Sequence, residues 1–158
     1  SAARLCSHVS FHPVNLYDYM PEVKLSIAAL ADANFSCTLY LEPDLPTVEF
    51  DPQLIKQALL NLIKNAYEAM EKHGTIHLVV TSTAESVQLH VIDHGGGLDP
   101  ALGNTIYQPF ITTKTGGSGL GLAITKQIIE SHHGTLTCES RKGDGCTFTL
   151  TLPRTQAP

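Results

Sequence analysis

Two glycine-dense runs and a pair of asparagines hold the residues that could do chemistry. Asp93-His94-Gly95-Gly96-Gly97 closes an apolar stretch, Val87 to Ile92. Gly116-Gly117-Ser118-Gly119-Leu120-Gly121-Leu122 opens another, Leu122 to Glu130. Glycine serves where backbone must take unusual angles or lie close to a ligand. A helix N-terminus behind such a run offers unpaired N–H groups to an anion. The two runs read as two walls of one nucleotide pocket. Asp93 is either a turn-forming acid before glycine or a carboxylate on the pocket floor that accepts a hydrogen bond from a base amino group. Lys114, just ahead of the second run, is either an ordinary exposed lysine or a phosphate contact. Asn61, Asn65 and Glu68 fall at i, i+4 and i+7 of one helical stretch, so they share a flank. Asparagine competes for backbone hydrogen bonds and is a mediocre helix former. Two of them one turn apart make either a solvated face or a set of hard oxygen ligands suited to Mg²⁺.

The elements that must position these groups follow from pattern. Asp51-Pro52 is a helix start, an N-cap acid followed by proline at the first helical position. The helix is expected to run to about His73 and stop at Gly74, with Ile55, Leu59, Leu62, Ala66 and Ala69 on its apolar face. Thr75 to Thr83 and Ser86 to Asp93 alternate as two strands of a hairpin, with Ile76, Leu78 and Val80 on one face of the first and Val87, Leu89 and Val91 on one face of the second. Leu122 to His132 is a helix. Thr135 to Ser140 and Cys146 to Leu152 form a final hairpin. Earlier in the chain, Val14 to Leu16 is a short strand. Tyr17 to Ala31 is a helix with Val23, Leu25, Ile27, Ala28, Leu30 and Ala31 as its apolar residues and Pro21 in its first turn. Cys37 to Leu41 and Val48 to Phe50 are strands, and Arg154 to Pro158 is a loose tail. Leu98 to Thr115 has no period and is long for a plain connection, which suits a lid or binding loop. Phe110 within it is a plug that pins the loop or part of a partner surface.

A chain of 158 residues can bury a substantial core, and 42% apolar with 16% charged residues suits a globular fold. No apolar run approaches the roughly 20 residues of a membrane span, and no secretory leader is evident. The formal charge of −5 disfavours a general nucleic-acid binder. Cys6, Cys37, Cys138 and Cys146 match no zinc spacing. Cys138 and Cys146 could face each other across the last hairpin, although reduced thiols in a reducing cytosol are the favoured state. The His8/His12 pair lacks a third metal ligand, and His73, His77, His90 and His133 read as structural. No Walker-type GxxxxGK[ST] run or Ser/His/Asp arrangement is present.

Four motifs then stand in order. Asn61-Leu62-Ile63-Lys64-Asn65-Ala66-Tyr67-Glu68-Ala69-Met70 resembles the asparagine box of sensor histidine kinases. Asp93-His94-Gly95-Gly96-Gly97-Leu98 resembles their DxGxG box. Gln108-Pro109-Phe110-Ile111-Thr112-Thr113-Lys114 is similar to their phenylalanine box, and Gly117-Ser118-Gly119-Leu120-Gly121-Leu122 to their second glycine box. The wording of the first and third is closest to the nitrogen-regulation type. The resemblance covers roughly residues 14–153. It implies an α+β fold, a two-layer α/β sandwich in which a mixed sheet packs on about three helices under a mobile ATP lid, the Bergerat fold of type II topoisomerases and heat-shock chaperones.

Carried over residue by residue, the resemblance implies ATP and Mg²⁺ as cofactors. Asn65 would hold the metal, and Asn61 would sit near the phosphates with a part in catalysis. Asp93 would bind the adenine amino group, with Gly95 and Gly97 along the base. Gly117, Gly119, Leu120 and Gly121 would offer backbone to the phosphates, and Phe110, Thr113 and Lys114 would act from the lid, Lys114 also in catalysis. Many members carry a basic residue where this chain has Glu68, so the phosphate contact would pass to Lys64 or Lys114.

The family's phosphoacceptor histidine is missing, since neither His8 nor His12 has its sequence context. Residues 1–13 instead resemble the end of a dimerisation helix, 14–153 the catalytic domain, and 154–158 a tail. The expectation is a kinase domain that transfers the ATP γ-phosphate to a histidine on a separate dimerisation domain, with a response regulator downstream and no nucleic-acid partner. The fragment would be monomeric and cytoplasmic. The full-length protein would be a homodimer, cytosolic or attached to the inner membrane. The alternatives are a nucleotide-responsive regulatory module without transfer, and a serine kinase of the anti-sigma type.

Overall fold

The structure is a computed structural model that describes residues 8–29, 35–70, 74–94, 120–141 and 145–156. Its elements are β1 (His12–Val14), α1 (Leu16–Ala28), β2 (Phe35–Leu41), β3 (Val48–Phe50), α2 (Pro52–Ala69), β4 (Gly74–Ser82), β5 (Ser86–Asp93), α3 (Leu120–Ser131), β6 (Thr135–Arg141) and β7 (Gly145–Pro153). The main sheet has five strands in the order β2-β4-β5-β7-β6. β2 runs parallel to β4, and every other neighbouring pair is antiparallel. β1 and β3 form a separate antiparallel ribbon.

Strand alternation decides where the helices go. Ile76, Leu78 and Val80 of β4, Val87, Leu89 and Val91 of β5, and Phe148, Leu150 and Leu152 of β7 are all buried. The residues between them, such as His77, Thr81, Gln88, His90, Thr149 and Thr151, are half-buried and mostly polar. One face of the sheet is therefore core and the other wet, the habit of antiparallel sheets. The helices share that core: α2 packs on β4, β5, α1 and α3, α1 also on β2, and α3 also on β6. This is the expected two-layer sandwich.

The structure corrects several local expectations. The first strand is His12–Val14, and Leu16 already belongs to α1, because the Asn15 side chain caps the helix by accepting the Tyr17 N–H at 2.9 Å. That early start puts Pro21 in the second turn instead of the first, where its ring removes the i→i−4 bond to Tyr17. The buried stripe of α1 is Leu16, Met20, Val23 and Ile27, at i, i+4, i+7 and i+11. Leu25 is 73% exposed and Ala28 is also on the solvent side, so neither belongs to the apolar face assigned to them. Leu30 and Ala31 lie outside the described residues. α2 ends at Ala69 with Met70 as its cap, and Gly74 opens β4 instead of closing the helix. Its buried face is wider than expected, adding Leu54, Ala58 and Ile63, while Ala69 is only half-buried.

Two turns explain what pattern did not. The β4–β5 hairpin lacks Asn or Gly because Thr83 closes it. Its N–H donates to the Ser86 carbonyl at 2.9 Å, and its hydroxyl accepts the Ser86 N–H at 3.2 Å. Of the tail, residues 154–156 form a strap, not a loose end, while Ala157 and Pro158 lie outside the described residues. The Arg154 N–H donates to the Glu85 carbonyl, the Arg154 carbonyl accepts the Glu49 N–H, and the Arg154 guanidinium donates to the Thr83 carbonyl. Gln156 binds the Glu49 carboxylate and the His132 carbonyl, both at 2.9 Å. After α3 the chain turns through His133, at φ 58°, and Gly134, where a Cβ would stand 2.4 Å from the Thr151 carbonyl oxygen.

His132 was not singled out in the sequence and is fully buried. Its Nδ1–H donates to the Ile128 carbonyl at 2.7 Å, and its Nε2 accepts the Asp51 N–H at 3.0 Å. Burial pushes its imidazole below the ordinary histidine range, against the opposing pull of the Ile128 carbonyl and the Asp51 carboxylate. The folded state therefore holds the ring neutral, while the unfolded chain protonates it as pH falls through about 6.5. In that window the unfolded state binds more protons, so stability is lost as pH drops. Urea unfolding is expected to show the midpoint falling from about pH 7.5 to about pH 5.5. His132→Asn should be less stable by about 1–3 kcal/mol at neutral pH and should show a shallower pH dependence.

Candidate functional site

The asparagine flank is held by the cap that starts its helix. Asp51 is buried, and its Oδ1 accepts the Gln53 and Leu54 N–H groups at 3.1 and 3.2 Å, while Oδ2 accepts the Ser10 N–H at 2.9 Å. From that fixed start, Asn61, Asn65 and Glu68 emerge half-buried on the flank of α2, and Lys64 is exposed. The Asn61 amide donates to the hydroxyl of Thr125 on α3 at 3.4 Å. Thr125 is fully buried, and its hydroxyl donates onward to the Gly121 carbonyl at 2.8 Å. Two motifs far apart in sequence thus meet through one hydroxyl. Asn61 belongs to a packed helix–helix contact, so this part of the flank is not a purely solvated face.

Gly121 sits in the first turn of α3. Apart from its neighbours and the backbone of its own helix, no described atom lies within 4 Å of the position that a Cβ would take there. The first N–H groups of that turn lack helical partners, and no other described residue crowds Gly121. The Leu120 backbone belongs to the same turn.

Asp93 marks the other end. It is the last residue of β5, points to the helix-covered face in step with Val87, Leu89 and Val91, and is only 4% exposed. In register it faces Cys146 on β7. Gly145 next to it has φ +98°, and a Cβ there would stand 2.2 Å from the Asp93 carbonyl oxygen. Only glycine tolerates both the angle and the approach. A cavity of about 610 Å³ opens here, with Asp93, His94, Cys138, Ser140, Gly145 and Cys146 among its wall residues. The exposed His94 ring meets His77 edge-on, with centroids 5.4 Å apart. A buried carboxylate at the mouth of a cavity of this size fits the polar recognition of a heterocyclic base.

The structure brings Asn61 and Gly121 together and sets Asp93 at the end of the strand on which α2 packs. Asn61, Asn65 and Lys64 do not line the cavity at Asp93. Gly95, Gly97, Phe110, Thr113, Lys114, Gly117 and Gly119 lie outside the described residues, as does the expected lid. Among the described residues no cluster of three or more His, Cys, Asp or Glu could hold a metal, which leaves a hard-oxygen role for Asn65 unaffected. His77 and His90 bond to Thr38, and to Thr81 and Thr149, as structural histidines. Thr125 was missed in the sequence. Its signal was a hydroxyl four residues after Gly121, following the apolar run Leu122-Ala123-Ile124.

A family model described as histidine kinase-, DNA gyrase B- and HSP90-like ATPase matches residues 50–156. The chain belongs to this ATPase family. It is 41% identical over 109 residues to the sensor histidine kinase ZraS of Escherichia coli strain K12, covering 69% of this chain and 23% of that protein. It resembles the nucleotide-free catalytic domain of the histidine kinase ThkA with a TM-score of 0.82 and 31% identity, covering 93% of this chain and 99% of that one. ThkA in complex with the response regulator TrrA matches at 0.80 and 29%, covering 93% and 42%. Full-length ShkA in complex with AMPPNP matches at 0.86 and 26%, covering 99% and 35%. Within the family this is the ATP-binding catalytic domain of a sensor histidine kinase. The chain spans about a quarter, 23%, of the curated relatives it matches first. Those relatives include ZraS, sporulation kinase A, AtoS and FixL, and they do not support the nitrogen-regulation subgroup suggested by motif wording. Among the described residues no helix is long and apolar enough to cross a membrane.

The Asn61–Thr125–Gly121 chain makes a direct prediction for this kinase domain. Thr125→Val keeps the volume and removes the hydroxyl. It is expected to cost about 1–2 kcal/mol in denaturant unfolding. A double-mutant cycle with Asn61→Ala should return a non-zero coupling energy.

Proposed function

We propose that this domain binds ATP with Mg²⁺ and presents the γ-phosphate to a histidine on a dimerisation domain. The observation that carries the reading is Asp93, buried at the end of a core strand and lining a cavity large enough for a base. In this reading Asp93 accepts the adenine amino group, with Gly95 and Gly97 along the ring. The backbone of Gly117, Gly119, Leu120 and Gly121 receives the phosphates, a reading supported by the absence of crowding at Gly121 among the described residues outside its own helix backbone. Asn65 holds the metal, and Asn61 orients the phosphate end from its tie to Thr125. Lys64 or Lys114 supplies the positive contact that Glu68 does not, and Phe110, Thr113 and Lys114 act as lid residues, as the family resemblance implies. When bound at Asn65, Mg²⁺ would supply charge neutralisation on the phosphates.

The contribution of these residues is positioning and electrostatic stabilisation. The incoming imidazole is the nucleophile. Asn61 has no carboxylate with which to activate water, so hydrolysis without an acceptor is slow. The dimerisation domain and a response regulator are the proposed partners. The ThkA–TrrA complex supports a response-regulator partner, and the chain's small share of ZraS supports a larger whole protein.

Calorimetric titration with ATP tests the pocket. The wild type should bind in the presence of Mg²⁺. Asp93→Asn should bind at least about tenfold more weakly while unfolding at a similar temperature, in line with loss of a charged hydrogen-bond acceptor. Asn65→Ala should retain nucleotide binding but lose its enhancement by Mg²⁺. Absence of binding by the wild type sinks the pocket, and brisk ATP hydrolysis by the isolated domain sinks the kinase reading.

A further inference from the structure

Two thiols meet beside Asp93. Cys138 on β6 and Cys146 on β7 face the same side of the sheet, with Cys146 in the core and Cys138 packed against it. In register Cys138 faces Phe148 and Cys146 faces Ser140, so the cysteines are diagonal neighbours. Side chains at diagonal positions still reach each other, and here the two Sγ atoms stand 2.9 Å apart. Both also line the cavity at Asp93, and Cys138 is half-buried, which gives a small molecule a path to its sulfur.

We propose that Cys138 and Cys146 form a reversible dithiol–disulfide pair, oxidised by low-molecular-weight disulfides, and that closing the pair weakens nucleotide binding. The second half rests on the reading of Asp93 as the adenine anchor. Cys138 is the entry point. The hydrogen bond from Cys146 lowers its thiol below the ordinary range, outweighing burial and the nearby Asp93 and Glu139 carboxylates. A thiolate is the attacking species in exchange. The Cys138 thiolate attacks one sulfur of a small disulfide RSSR, forms a mixed disulfide and expels RS⁻. Cys146 then loses its proton, attacks the Cys138 sulfur and expels the second RS⁻. Both cysteines are oxidised, and RSSR is reduced to two RSH.

The effect on the pocket follows from the ladder. A disulfide needs its sulfurs at about 2.05 Å and its Cα atoms closer than diagonal partners usually sit. Closure must therefore draw β6 and β7 together at this end. Cys146 pairs directly with Asp93, and Gly145 is already packed against the Asp93 carbonyl. There is no slack between the hairpin and the carboxylate, so Asp93 and the adjoining cavity wall shift. Cys37, on β2, cannot substitute, because β2 and β6 are the opposite edges of the sheet.

The test uses the 158-residue chain, with oxidised glutathione as the probe. Non-reducing peptide mass spectrometry should find Cys138 joined to Cys146 with the loss of two hydrogen atoms. Titration of the oxidised protein with ATP should give an affinity at least about tenfold weaker than the reduced protein, recovered on adding dithiothreitol. Cys138→Ser should show one affinity, unchanged by oxidant. Glutathione retained on Cys138, or a cross-link that uses other cysteines, overturns the pair. A Cys138–Cys146 bond with unchanged ATP affinity overturns its effect on the pocket. If reduced wild type fails to bind ATP, the nucleotide reading falls, while the mass spectrum still decides the cross-link.

Discussion

The fold depends on how one buried helix start is satisfied. The first N–H groups of any helix lack partners inside it. Asp51 answers with both carboxylate oxygens, binding Gln53, Leu54 and the incoming Ser10. Its own N–H goes to His132 at the far end of α3. A single residue therefore joins the N-terminal segment, the start of α2 and the end of α3. The relative placement of the two helices that carry Asn61 and Gly121 is set there, ten residues before the first asparagine. Removing the acceptor nitrogen leaves a buried N–H without a partner, which costs more than an ordinary hydrogen bond contributes.

The same economy appears at the other contact between these helices. Thr125 does not reach solvent, yet it accepts from Asn61 and donates to the Gly121 carbonyl. By donating to the carbonyl four residues back, the buried hydroxyl satisfies its own proton within the helix. Gly121 can then lack a side chain without lacking anchorage. At Asp93 the order is reversed. Asp93 is held by strand pairing, and Gly145 gives way to it sterically. One end of the site is fixed by helix packing and the other by a sheet ladder.

Much of this was legible in the chain because local and global signals agree. Asp51-Pro52 marks a helix start by cap chemistry alone. β4, β5 and β7 alternate cleanly because one face is buried and the other wet, and the four motifs fix the family. What was hidden depended on distant partners. Leu25 looks like a core residue, but the true stripe of α1 uses Met20, and only the start at Asn15 sets that phase. His132 gives no signal in sequence, because its role is defined by an N–H eighty-one residues away. The tail from Arg154 looks unstructured for the same reason, since its partners are Glu49, Thr83, Glu85 and His132. Cys138 and Cys146 could be placed on one hairpin, but not brought to 2.9 Å without the register.

The strand order carries a kinetic consequence. Four strands, β4-β5-β7-β6, are joined by antiparallel pairing, and two of those pairings close through short hairpins. β2 joins this group through its only parallel pairing, and the chain between β2 and β4 must first lay down β3 and α2. Parallel pairing across such a crossover is closed only after its loop entropy has been met. β2 is thus the late-docking strand, and it remains an outer edge with Tyr40 facing water. Its amide protons belong to the first cooperative unit to open, while those of β5, flanked on both sides, report global unfolding. The half of the sheet that holds Asp93 can therefore stay intact while the opposite edge breathes.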